Sequence, residues 1–183
     1  MEDEIVKRIM DSSQWPCIEN SDQLEVLNEI ADSTFNTETF EGYISAILIY
    51  HQIIESMIIH LLEDCCFFIQ LSVYPLEYKH KIEKDKMMGA YIKELKSTLE
   101  FENKQLFISK CMEFNKIRNN IVHGITKKRD LSDINENAKN GKIIFNIVFE
   151  LYDDIQDWFR VCFKDFKKDI FIDIVGDETD ETE

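Results

Sequence analysis

The stretch TFEGYISAILIYHQIIESMIIHLLEDCCFFIQL, Thr39 to Leu71, decides the fold class. Ile44, Ile47, Leu48, Ile54, Ile58, Leu61, Leu62, Cys65 and Phe68 recur with the period of an α-helix and leave few polar sides. A helix so apolar belongs at the centre of a bundle. Its polar positions, Gln52, Glu55/Ser56 and Glu63, fall on a narrow stripe. Tyr74-Pro75 ends it, because the residue before a proline is pushed out of the helical region.

Outward from this helix, 1–36 reads as an arm with short helical patterns at about Glu4–Met10 and Asp22–Ile30, the second capped by Ser21 and split from the first around Trp15-Pro16. Lys79–Lys86 is a charged connection, and a helix is expected at about Met87–Leu99. Lys104–Gly124 carries Phe107, Ile108, Cys111, Phe114, Ile117, Ile121 and Val122 at core spacing, with Gly124 placed as a C-cap. Thr126–Gly141 is polar, and Asn140-Gly141 reads as a turn. A last long helix, Ile143–Phe163, turns Ile147, Leu151, Ile155, Trp158 and Phe159 inward. Asp169–Val175 fits either a short strand or a final helical turn. The expected architecture is therefore all-α: an arm at 1–36, a helical bundle at 37–175 and a disordered acidic tail at 176–183.

Composition agrees. The 183 residues include only 5 Gly and 2 Pro, too few for the tight turns of a sandwich or barrel. The sequence has no run of 18 apolar residues and starts with acidic residues, so it reads as soluble and cytoplasmic, with no membrane partner. Five cysteines, with Cys65 and Cys66 adjacent and no CxxC spacing, read as reduced core thiols. The net charge of −15, still −10 without the five acids of the tail, argues against a broad nucleic-acid-binding surface. Any nucleic acid then needs a local basic site, and Lys127, Lys128 and Arg129 supply a candidate.

Chemistry concentrates in Arg118-Asn119-Asn120-Ile121-Val122-His123, just before Gly124. By composition alone the expected number of Arg-Asn-x-x-x-His matches is about 0.005, so the motif carries weight. Arginine stays charged and offers phosphate a planar fork, while histidine titrates near neutral pH and serves as acid or base. RNA brings its own nucleophile, the 2′-hydroxyl. Cleavage therefore needs a base, an acid and a cation, but no metal and no other cofactor. Asn119 and His123 are i and i+4 and share a helix face. Arg118 and His123 are five apart, about 140° around an ideal helix. They meet only if the helix end unwinds or a second copy completes the site. A histidine capping the last turn and a solvated arginine are the structural alternatives.

Arg118, Asn119 in the polar slot after it, and His123, near the end of a long helix, resemble the motif of the HEPN superfamily, over roughly residues 39–164. The resemblance implies a two-fold homodimer with both motifs facing one cleft, and a metal-independent endoribonuclease with Arg118, Asn119 and His123 as catalytic residues. It also implies a toxin, phage-defence or stress-response setting, with RNA as substrate and an antitoxin protein as a further partner. Glu55 is a candidate to orient Arg118 or His123. His51 and His60, nine apart, match no dedicated zinc spacing, so no metal site is expected. The alternative is a non-catalytic relative of the same fold that binds a protein or nucleotide partner, favoured by the charge and the unmatched arm.

Overall fold

The structure, a computed structural model, describes residues 21–73, 76–83, 85–125 and 132–176. Those residues form five helices and no strand: α1 (Ser21–Phe35), α2 (Phe40–Val73), α3 (Met88–Lys96), α4 (Lys104–Gly124) and α5 (Ser132–Gly176). The chain is an all-helical bundle, as its periodicities require.

Helix α2 is the axis, and it touches all four other helices. Ile47, Tyr50, Ile54, Ile58, Leu61, Leu62 and Cys65 are fully covered. By length and composition α2 is apolar enough to cross a membrane, but over half of its most apolar window is buried inside the bundle. Two of its buried polar side chains, Asp64 and His60, find partners there. The Gln156 amide donates to Asp64 (2.9 Å), and His60 Nδ1 lies 3.2 Å from the Tyr152 hydroxyl. Against α2, α5 stacks Phe145 on Tyr50, with ring centroids 4.1 Å apart, and Phe163 on Phe68 at 4.0 Å. Such pairs add about 0.5–1.5 kcal/mol each beyond the area they bury.

The second half of the expected arm is α1, docked on α2 through buried Ala31 and partly buried Leu27 and Phe35. Asp32 accepts from the Tyr50 hydroxyl and pairs with Lys142 of α5, so α1 is tied to two helices. Burial, and then the Asp32 carboxylate, push the Tyr50 phenol far above its ordinary pKa. Residues 1–20, the tail 177–183 and the Tyr74-Pro75 stop lie outside the described residues.

Turns are made without left-handed glycines among the described residues. Glu38, Asp85 and Asn103 take positive φ instead, at 55°, 67° and 62°. That conformation costs an ordinary residue about 1 kcal/mol.

Several expectations need correction. Asn140-Gly141 is not a turn, because α5 runs unbroken from Ser132. A Cβ on Gly141 would sit 2.6 Å from Ile47 Cδ1 and 3.4 Å from Ile117 Cγ2. The glycine therefore lets three helices approach closely, and Ile134, Ala138 and Phe145 extend the same buried stripe on both sides. Gly124 is not a left-handed cap: it is the buried last residue of α4. Trp158, expected inward, is 37 % exposed, and Leu48, part of the apolar period of α2, is 39 % exposed. Residues 169–175 belong to helix α5. Cys65 and Cys111 are buried and Cys66 and Cys162 partly buried, and none of the four forms a disulfide. Burial pushes the Cys65 and Cys66 thiols up to about 11.

Candidate active site

Helix α4 buries Phe107, Ile108, Cys111, Phe114, Ile117 and Ile121 against the bundle, one contiguous stripe at helical spacing. Residues flanking the stripe are half-buried, and Asn115, Arg118 and Asn119 are among them. Their height on α4 brings them to the polar stripe of α2.

Arg118 therefore sits beside two α2 side chains, His51 and Glu55, both of which feel its charge. Its Nη1 donates to Asn119 Oδ1 at 3.0 Å. Only 7 % of His51 is exposed. Burial, and then the neighbouring Arg118 charge, hold its imidazole below the ordinary histidine pKa, with a hydrogen bond to the Asn115 side chain acting the other way. A neutral imidazole beside a guanidinium is what electrostatics asks for. Burial raises the Glu55 carboxyl, and Arg118 partly offsets that. Two buried nitrogens in the cluster, His51 Nδ1 and Arg118 Nε, make no hydrogen bond to the protein.

His123 stands apart from this cluster. It is exposed in the last turn of α4, and the helix does not unwind before it: the Ile125 amide still donates to the Ile121 carbonyl at 3.1 Å. On an unbroken helix, five residues separate two side chains by about 140° and about 7.5 Å along the axis. Unwinding is thus removed as a way to join Arg118 and His123 within one chain. Arg118 is held toward α2, and His123 is presented to solvent.

Of the residues singled out from sequence, Arg118, Asn119 and Glu55 come together here, with Glu55 beside Arg118 rather than His123. Lys127, Lys128 and Arg129 lie outside the described residues. Sequence reading missed His51 and Asn115 as members of the cluster. The available signal was the i, i+4 pairing of His51 with Glu55 on one face of α2. His60 belongs to the separate contact with Tyr152, and no group of three or more potential metal ligands occurs among the described residues.

Fold and cluster together define an all-helical protein with a braced arginine and a solvent-facing histidine on one helix. Comparison with known proteins gives no match to a family model, a curated protein or a solved structure.

Proposed function

We propose that the chain is a HEPN-like, metal-independent endoribonuclease acting as a homodimer. The observation that carries this reading is the division of labour on α4. Arg118 is hydrogen-bonded to Asn119 and lies near Glu55 and His51, while His123 five residues later is exposed and free to reach a second copy.

Two copies facing each other across the ends of α4 supply two arginines and two histidines to one cleft. His123 takes the proton of the RNA 2′-hydroxyl, and the 2′-oxygen attacks the adjacent phosphorus. The partner subunit's His123 gives a proton to the departing 5′-oxygen. The products are a 2′,3′-cyclic phosphate and a free 5′-hydroxyl. The Arg118 guanidinia neutralise the phosphorane, and Asn119, whose Oδ1 is taken by Arg118, keeps its NH2 to donate to phosphate.

One observation favours a second reading, a non-catalytic helical module that binds a protein or nucleotide. Arg118 lies near the Glu55 carboxyl and the His51 ring, an arrangement a purely structural cation would also adopt.

Cleavage of total RNA and tRNA by purified protein in excess EDTA separates the two. The ribonuclease reading expects 2′,3′-cyclic ends with the wild type and a loss of at least about 100-fold in Arg118→Ala and His123→Ala, from losing acid–base or electrostatic catalysis. Equal cleavage by all three folded proteins, or none by any, leaves the binding module.

A further inference from the structure

Helices α3 and α4 enclose an open groove of about 430 Å³. Lys93 and Lys96 line it from α3, and Asn115, Lys116, Asn119 and Asn120 from α4. No carboxylate lines it, in a chain with 36 acidic residues against 21 basic ones. Elsewhere Lys79, Lys86, Lys104, Lys110 and Lys142 are each paired with a carboxylate. Lys93, Lys96 and Lys116 form no ion pair among the described residues, and the Lys96 ammonium instead lies 3.6 Å from Met112 Sδ.

The groove is also joined to the arginine cluster. Asn115 hydrogen-bonds His51, and Asn119 accepts from Arg118, so two of its wall residues are shared with that cluster. Its α4 wall leads toward the motif histidine. His123 is seven residues beyond Lys116 and four beyond Asn119, which places it within about 20° and 40° of them around the helix. At the α3 end Gly89 lines the groove, in the first turn of a helix whose cap residue, Met87, makes no side-chain capping bond.

We infer that this groove binds the phosphate backbone of single-stranded RNA and leads the strand to His123. The choice of RNA rests on the ribonuclease reading, whereas the unpaired ammonium groups and amide donors ask only for phosphate. Three lysines neutralise up to three phosphates, and side-chain amides donate to phosphate, sugar or base edges. The net charge is no obstacle, because the local field of the groove, not the total, meets the strand.

The test is fluorescence anisotropy of a 5′-labelled ten-nucleotide RNA in EDTA. It compares wild type, His123→Ala and the triple variant K93Q/K96Q/K116Q between 50 and 200 mM salt. His123→Ala is the cleavage-dead protein, in which binding is read on intact RNA. At about 0.7 counterions per neutralised phosphate, losing three contacts makes the log–log salt slope shallower by about 2. The fourfold rise in salt then weakens the wild type about 20-fold more than the triple variant. Lysine-dependent binding without any cleavage sinks the ribonuclease reading and leaves the groove standing. Wild-type affinity and slope in the triple variant overturn the inference, as does no binding by any of the proteins at 50 mM salt. Binding of labelled ATP without binding of the oligomer overturns the assignment to RNA.

Discussion

Replacing Lys104 by methionine tests whether α3 is held in place as the structure indicates. The Lys104 ammonium is fully buried at the start of α4. It donates to the Leu99 carbonyl at 3.0 Å, the Lys96 carbonyl at 3.2 Å and the Thr98 carbonyl at 3.4 Å, and pairs with Glu100 at 3.2 Å. The Lys96 carbonyl is the last of α3 and has no helical partner, and the Thr98 and Leu99 carbonyls belong to the turn that follows the helix. Methionine keeps the length of the side chain and removes the charge. The two shorter carbonyl bonds are worth about 1.5–3 kcal/mol each as charge-assisted hydrogen bonds. The apolar gain of a buried methionine returns about 2 kcal/mol. The net loss is about 1–4 kcal/mol, which for a chain of this size lowers Tm by roughly 2–15 °C. Thermal melts followed by circular dichroism read it directly. Glu100 is largely exposed, so Glu100→Gln is expected to leave the midpoint nearly unchanged. A Lys104→Met protein melting within about 2 °C of wild type would refute the clamp. The clamp also bears on the groove, because Lys96 gives it both a carbonyl acceptor and a groove-lining side chain.

Two further outcomes follow from the cluster and the core. His51 has a folded pKa below its unfolded value, so the unfolded chain takes up a proton near pH 6.5 that the folded chain resists. Stability is therefore expected to fall as pH drops from about 7 to about 5, and His51→Gln to flatten that part of a urea-midpoint profile; an unchanged profile removes His51 as its source. Glu55 works oppositely: its raised pKa gives stability that is present below its ordinary value and lost as pH rises through the folded one, so Glu55→Gln raises the midpoint at pH 7. At the helix crossing, Gly141→Ala gains about 1 kcal/mol of helix propensity but presses on Ile47 Cδ1, an overpacking cost of about 1–3 kcal/mol. Ile47→Val, which removes that methyl, costs about 1 kcal/mol alone. The double variant is expected to be more stable than the two single effects sum to, and strict additivity would show that Gly141 is not packed there.

Where sequence reading succeeded, one element carried its own evidence. Helix α4 was legible from Lys104 to Gly124 because its apolar period is unbroken, and the core of α2 was legible for the same reason. The start of α5 was not. Asn140-Gly141 has the chemistry of a turn, and only the closeness of Ile47 and Ile117 shows why a glycine stands inside a helix. Lys104 looks in sequence like a solvated first-turn lysine, and its burial follows from the end of α3 folding over it.

The candidate site divides in the same way. The sequence alone determined the all-helical class, the central helix and the placing of Arg118, Asn119 and His123 in the last turns of α4. Periodicity is a property of one element and states which residues share a face, but it does not state what covers that face. Only the tertiary structure decided that Arg118 faces His51 and Glu55, that His123 faces solvent, and that three unpaired lysines line one groove. Those facts depend on the height and rotation at which α2, α3 and α4 pack, and packing is set by side-chain fit between elements far apart in the chain.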